Sequence, residues 1–282
     1  MKVERSDFHA TPKKSLGQHF LHDKRVLARI ADASGLGKIS GVLEIGPGTG
    51  ALTGFLAERA GKVLAVETDG RLIQGLKGRF PQESVIILHQ DARQLDWPAL
   101  QREYFNGNPF ALCANLPYYI TSPLIMAALE GGAQVDPIVV LVQKEVALRL
   151  AAKPKCKDYG LLSLAAQRYA TVETLFEVAP GCFTPPPRVM SAVVRLKRRP
   201  DAPTQEASAQ FFKVARAAFA MRRKTLANNL VKGLGMPREA AENALHQCGL
   251  NPAVRAEELT VEEFDTLTRI IIVNCELSIV NC

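Results

Sequence analysis

Two short stretches carry residue types that could do chemistry together. Glu44-Ile45-Gly46-Pro47-Gly48-Thr49-Gly50 is a glycine loop behind an apolar run, and Asn115-Leu116-Pro117-Tyr118 sets an amide, a carbonyl, a proline and an aromatic ring in one turn behind another. Glycines let a backbone lie close to a nucleoside because no Cβ intervenes. The turn suits an exocyclic amine of a purine or pyrimidine base. Such an amine is a poor nucleophile, its lone pair being delocalised into the ring, and two oxygen acceptors on its N–H bonds make the nitrogen more sp³-like. The side-chain oxygen of Asn115 and the main-chain carbonyl of Leu116 would each take one N–H, Pro117 would hold that carbonyl, and Tyr118 would stack on the base. With an activated methyl group as electrophile no strong general base is needed, and catalysis reduces to positioning and fixed dipoles. The pair of motifs points to methyl transfer onto a base nitrogen.

The glycine loop alone is ambiguous. Gly46-x-Gly48-x-x-Ala51 also satisfies a dinucleotide fingerprint, with Glu67 placed where a ribose-binding acid is expected for NAD. Three features favour S-adenosyl-L-methionine instead. Glu44 puts a carboxylate beside the loop, which repels a pyrophosphate and suits an ammonium group. Gly50 is expected to flatten the loop for a cofactor without phosphates. Asp91-Ala92 offers an acceptor and a backbone N–H where an adenine would present its amino group and ring nitrogen.

These motifs need a frame. Val42–Ile45, Val63–Val66, Val85–Leu88, Phe110–Cys113 and Ile138–Val142 are short aliphatic runs bounded by turn residues, and they read as parallel strands buried on both faces. Amphipathic segments between them read as crossover helices. Ser122-Pro123 reads as an N-cap and first helical position, so the Asn115 turn falls between a strand and a helix at the carboxyl edge of the sheet. Two further strands are expected near 171–178 and 192–197, antiparallel at the edge. After Arg199-Pro200-Asp201-Ala202-Pro203 strand signals stop and helical ones continue to about residue 273. The expectation is an α/β, Rossmann-like sheet with helices on both faces over residues 1–200, a small all-helical domain over 201–273, and a tail at 274–282 to which no function is assigned.

Composition narrows the remaining classes. The longest aliphatic run, Ile138–Val142, is far too short for a membrane helix, and no apolar stretch opens the chain. The six cysteines include no C-x-x-C pair, which argues against a zinc site and a disulfide framework, so no metal is expected and the reducing cytoplasm is the expected compartment. Net charge is +7. From Ala207 to Lys232 the charges are Lys213, Arg216, Arg222, Arg223, Lys224 and Lys232 with no acid, and acids dominate from Gly233 to Arg269. One face for a polyanion is implied.

Further segments complete a resemblance. Ser15-Leu16-Gly17-Gln18-His19-Phe20-Leu21, the Glu44–Thr53 loop, Asn115–Pro123, Gln143-Lys144-Glu145-Val146, Phe183-Thr184-Pro185-Pro186-Pro187-x-Val189 and Ala218-Phe219-x-x-Arg222-Arg223-Lys224-Thr225-Leu226 run in order along the chain. They resemble the small-subunit ribosomal RNA adenine N6,N6-dimethyltransferase family (KsgA/RsmA). The resemblance implies dimethylation of two adjacent adenosines in a hairpin near the 3′ end of 16S rRNA, on the immature small ribosomal subunit, with S-adenosyl-L-methionine as cofactor. It implies that His19, Leu21, Gly46, Glu67, Asp91 and Asn115 line the cofactor site, joining Glu44, Gly48 and Ala92. Phe183 looks like a second stacking aromatic opposite Tyr118. Phosphate contacts are expected from Lys13, Lys14, Lys24, Arg25 and the Arg222-Arg223-Lys224 segment. His19 and Tyr119 stand where relatives more often carry asparagine. A related large-subunit methyltransferase of the antibiotic-resistance type and an assembly factor with incidental catalysis are the alternatives; the basic segment favours the small-subunit enzyme.

Overall fold

A computed structural model describes residues 11–13, 16–38 and 40–280; the side chains of 205 and 275–280 lie outside that description. The strands are β1 (Phe20–Leu21), β2 (Gly41–Ile45), β3 (Lys62–Glu67), β4 (Val85–His89), β5 (Phe110–Asn115), β6 (Val135–Gln143), β7 (Ala170–Val178), β8 (Phe183–Thr184) and β9 (Ser191–Arg198). The helices are α1 (Lys24–Ala33), α2 (Ala51–Arg59), α3 (Gly70–Arg79), α4 (Trp97–Phe105), α5 (Thr121–Glu130), α6 (Lys144–Ala151), α7 (Leu161–Tyr169), α8 (Gln205–Ala218), α9 (Leu226–Leu234), α10 (Arg238–Gln247) and α11 (Val261–Val280).

Seven strands form one sheet in the order β4-β3-β2-β5-β6-β9-β7. Pairing is parallel from β4 through β6, and β9 is antiparallel to both β6 and β7. Val42, Leu43, Glu44 and Ile45 are all buried, as consecutive residues of a strand covered on both faces must be. β7 lies at the edge and is part-exposed along most of its length. The fold is the expected Rossmann-like sheet. The chain runs outward from β2 to β4 and returns to β5 on the other side of β2, so the strand order reverses between β2 and β5. Ligands of open α/β sheets bind at the carboxyl ends of strands at such a reversal.

Two local expectations need correction. Helix α5 begins at Thr121 rather than after a Ser122 cap, because a 3₁₀ turn over Tyr118–Ile120 runs directly into it and the Thr121 hydroxyl donates back to the Pro117 carbonyl at 3.1 Å. Helix α11 continues through Val280, since residues 274–280 contain no glycine or proline to stop it.

The chain divides into two compact units, Met1–Ala147 with Ala170–Pro200 and Leu148–Tyr169 with Asp201–Cys282. The break at residue 200 lies where the proline-rich stretch was read as a linker. The assignment of 148–169 to the second unit was not anticipated, and its cause is packing. Tyr159 donates its hydroxyl to the Leu259 carbonyl at 2.9 Å, Arg168 pairs with Asp265, and the Arg168 guanidinium lies 3.6 Å from the centre of the Phe211 ring. Within this unit α8 and α9 touch closely: a Cβ on Gly233 would fall 2.6 Å from that of Ala217.

Candidate functional site

The glycine loop is a sequence of left-handed turns. Gly46, Gly48 and Gly50 have φ of 71°, 60° and 79°, values that L side chains rarely adopt. Gly46 N–H donates to the Val66 carbonyl (2.9 Å), and Gly48 N–H to Glu67 Oε2 (3.1 Å). The other Glu67 oxygen accepts from Asp69 N–H at 2.9 Å. Glu67, at the end of β3, therefore holds the loop after β2 to the start of α3. Gly50 works differently from expectation. A Cβ there would lie 2.5 Å from Phe80 and 3.1 Å from Leu76, so its missing side chain makes room for core packing under α2 rather than for a cofactor.

Glu44 is 2% exposed, and Thr53 Oγ1 donates to it at 2.6 Å. Burial, with the Glu67 carboxylate adding to it, pushes its pKa from the ordinary 4.5 up to about 8. Burial also raises Glu67 against the backbone amides of Asp69, Gly48 and Thr68, which lower it. Asp69 goes the other way, down to about 2, because Arg71 donates to it and Gln18 Nε2 adds a bond at 3.2 Å.

Asp91 caps the 3₁₀ turn Ala92–Gln94 and takes the Arg93 guanidinium on both oxygens, with Nε at 3.1 and 3.0 Å and Nη2 at 2.6 Å. Its pKa is lowered, foremost by those Arg93 bonds. An adenine amino group would meet a carboxylate already paired, while Ala92 opens a short helical turn whose leading amides have no partner within it.

Asn115 ends β5. Its Nδ2 lies 3.1 Å from the His19 carbonyl, an atom that only accepts, so the amide is oriented with Oδ1 left as an acceptor. Leu116 is buried and its N–H donates to the Leu141 carbonyl at 3.3 Å. The Pro117 carbonyl is taken by Ile120 N–H and Thr121 Oγ1, whereas no described residue donates to the carbonyl of Leu116. Tyr118 is fixed by a 2.6 Å hydroxyl bond with Ser191, and burial raises its pKa. The His19 ring lies against it, with centroids 5.7 Å apart and planes inclined by 24°.

The glycine loop, Glu44, Glu67, the Asp91 turn and the Asn115 turn line one pocket of about 1090 Å³, counting the space at its mouth. Leu16–Leu21 form one wall, the glycine loop and Glu67 the floor, Asp91–Arg93 one end, and Asn115–Ile120 the other. His19, Leu21, Glu44, Gly46, Gly48, Glu67, Asp91, Ala92, Asn115, Leu116, Pro117 and Tyr118 all contribute.

Phe183 does not. It is 3% exposed, pairs through β8 with Leu21 of β1, and packs in the core with Leu27, Val178 and Val193. The stacking partner expected opposite Tyr118 is not among the residues lining this pocket, and its motif pairs with the end of the Leu16–Leu21 wall. Lys13, Lys24 and Arg25 are exposed, as are Arg222, Arg223 and Lys224 in the second unit; Lys14 lies outside the described residues. Sequence reasoning missed Gln18, Asp69, Thr53 and Ser191, the polar partners that hold the lining. Only the Asp69-x-Arg71 helix start carried a readable signal. Among the described residues no group of His, Cys, Asp and Glu could hold a metal, and no helix is long and apolar enough to cross a membrane.

Residues 9–272 match the family described as ribosomal RNA adenine dimethylase. Ribosomal RNA small subunit methyltransferase A of Bacillus mycoides (strain KBAB4) is 46% identical over 269 residues, covering 93% of this chain and 92% of that protein. The protein of the same name from Bacillus licheniformis is 46% identical over 263 residues, covering 91% and 90%. Among solved structures, a dimethyladenosine transferase from Plasmodium falciparum has a TM-score of 0.73 at 25% identity, covering 88% of this chain and 96% of that one. The 23S rRNA methyltransferase ErmE has a TM-score of 0.69 at 27% identity, covering 90% and 99%.

Proposed function

The chain belongs to the ribosomal RNA adenine dimethylase family, and from that premise we propose that it dimethylates N6 of two adjacent adenosines in a 3′-terminal hairpin of small-subunit ribosomal RNA, on the immature subunit, with S-adenosyl-L-methionine as cofactor. The observation that supports the reading is the pair of open acceptors, Asn115 Oδ1 and the Leu116 carbonyl, on two residues that line the same pocket as the glycine loop. When bound, the cofactor supplies a methyl group on a sulfonium, with a neutral thioether as leaving group.

The residues present fit that group. Glu44 and Glu67 place two buried carboxyls, both with raised pKa, where a cation and ribose hydroxyls would offset the cost of their ionisation. Gly46 and Gly48 leave no Cβ on the floor. Leu21 and Ala92 give apolar surface, and Asp91 holds the turn that presents the Ala92 amide. Toward the base, Asn115 and Leu116 accept the two N–H bonds, Pro117 fixes the turn, and Tyr118 supplies the stacking face. The nitrogen is thereby held as a nucleophile without a charged base. Its proton leaves after alkylation, and the monomethylated amine must rotate to present its second hydrogen. Lys13 and the exposed Arg222, Arg223 and Lys224 act on RNA phosphates in this reading, while the target bases are unstacked into the pocket.

The test is incubation of the protein with undermethylated small and large subunits and methyl-labelled cofactor, followed by mass spectrometry of the RNA. Dimethyladenosine at adjacent hairpin positions of the small-subunit RNA is the expected product. Label confined to large-subunit RNA would overturn the proposal.

A further inference from the structure

His19 touches both working halves of the base-gripping turn, which a residue serving only the cofactor has no reason to do. Its main-chain carbonyl accepts from Asn115 Nδ2 at 3.1 Å, and that bond decides which way the Asn115 amide faces. Its ring lies against that of Tyr118, with centroids 5.7 Å apart and planes inclined by 24°. Its Nδ1 is 2.7 Å from the Pro185 carbonyl. A carbonyl only accepts, so Nδ1 carries the proton and the imidazole is held in one orientation.

The segment that carries His19 is fastened on both flanks. Gln18 bonds Asp69 through Nε2 and accepts the Lys13 amide at 2.7 Å. Phe20 pairs with Thr184 and Leu21 with Phe183, and the Phe20 ring covers Gly48 so closely that a Cβ there would meet it at 3.0 Å. Leu16–Leu21 thus rest on the glycine loop at one point and on the Asn115 turn at the next.

We propose that His19 is a positioning residue that ties the seating of the Leu16–Leu21 segment over the cofactor pocket to the setting of Asn115 and Tyr118 for the target base. The inference rests on the reading of that turn as the grip on an adenine amine. It moves His19 from the cofactor's side, where the sequence placed it, to the base's side. The main-chain part of the device survives any side chain at position 19. The ring part does not: asparagine, for example, has no aromatic ring to lay against Tyr118.

Three variants separate the parts. His19→Ala and His19→Asn are expected to lower the single-turnover rate of methyl transfer to a hairpin RNA on the order of tenfold, with S-adenosylhomocysteine affinity, measured by calorimetry, within about threefold of wild type. His19→Phe restores a face for Tyr118 and is expected to recover most of the rate. A second readout needs no turnover: in a hairpin with 2-aminopurine at the target position, the emission change on stacking is expected to be lost in His19→Ala and His19→Asn and kept in His19→Phe. Melting curves establish that each variant is folded, and the polar His19→Asn guards against loss of His19→Ala. Loss of S-adenosylhomocysteine affinity matching the loss of rate, or an Asn variant with wild-type rate and emission, would overturn the proposal. Failure of the wild type itself to methylate the hairpin would instead overturn the function on which the inference rests.

Discussion

On the glycine-loop side of the pocket the polar groups are occupied by the protein itself. Gly46 and Gly48 amides donate to Val66 and Glu67, Glu44 is bonded by Thr53, and both Glu67 oxygens hold backbone amides. On the turn side two acceptors remain, because Asn115 gives only its Nδ2 to His19 and the Leu116 carbonyl takes no donor from a described residue. The first side is a frame whose shape is fixed before any ligand arrives. The second is an incomplete hydrogen-bond set that a substrate amine completes. Changes on the turn side should therefore appear in the chemical step, and changes in the frame should appear in cofactor affinity and stability.

Asn115→Ala is the largest test of that division. Removing Oδ1 takes away one of two acceptors where charge develops on the amine, and a fall in methyl transfer on the order of 10²-fold or more is expected, with cofactor affinity weakened less. Unchanged turnover would falsify the role given to that side chain and erase the distinction between the sides.

Two glycines sharpen the frame's half of the comparison. At Gly48 an alanine meets both a φ of 60° and the Phe20 ring at 3.0 Å, directly under the pocket. About 1–3 kcal/mol of backbone strain follows, expressed as roughly tenfold weaker cofactor binding together with a lower melting temperature. At Gly50, whose φ of 79° is also positive, the same substitution strikes Phe80 at 2.5 Å, away from the pocket lining. Overpacking there costs about 1–3 kcal/mol, and the melting temperature should fall while affinity in the surviving folded fraction changes little. Calorimetry and thermal melts on both variants decide this.

The division also shows what sequence could reveal. The sheet strands and the two motifs were legible because parallel strands demand aliphatic runs and because glycines and an Asn-Leu-Pro-Tyr turn are constrained residue by residue. The reason for Gly50 was not legible, since Phe80 reaches it from a distant stretch of chain and nothing in the loop announces that contact. β1 and β8 were missed because two-residue strands have no period. Without that pairing Phe183 reads as a pocket aromatic, although it is buried against Leu21. Gln18, Asp69 and Ser191 were invisible as partners for the same reason: polar residues common at surfaces acquire a role only through contacts the fold creates.

The buried carboxyls give the frame a pH signature that the turn lacks. In the folded chain Glu44 holds its proton to about pH 8, against an ordinary value of 4.5. Between those values the folded state binds more protons than the unfolded one, so the stability Glu44 contributes is full below about 4.5 and is lost as pH rises through about 8. Glu67 acts in the same direction. Asp69, held down to about 2, contributes stability above its ordinary 3.8 that disappears only as pH falls through about 2, outside that window. The melting temperature of the ligand-free protein should therefore decline from acid toward pH 8, and Glu44→Gln should flatten the decline. Because a cation favours the ionised carboxyl, cofactor affinity should rise several-fold over the same range in wild type and stay level in Glu44→Gln. A decline untouched by Glu44→Gln would assign the effect to Glu67.

The smallest effects are expected in the helical unit, where the basic turn after α8 differs from both sides of the pocket. Arg223 and Lys224 are exposed, and Arg222 is held by a bond to the Lys157 carbonyl. None of these side chains lines the pocket of the first unit, so each charge should act through phosphates and counterion release alone. Arg223→Ala or Lys224→Ala should weaken RNA binding only a few-fold, reduce the slope of log affinity against log salt by about one each, and leave the single-turnover rate at saturating RNA unchanged. The pair together should reduce the slope by about two. A slope that stays fixed while the rate falls would mean that these side chains align the target base rather than hold the backbone. The contrast between a site that works by geometry and a surface that works by charge would then fail at its weaker end.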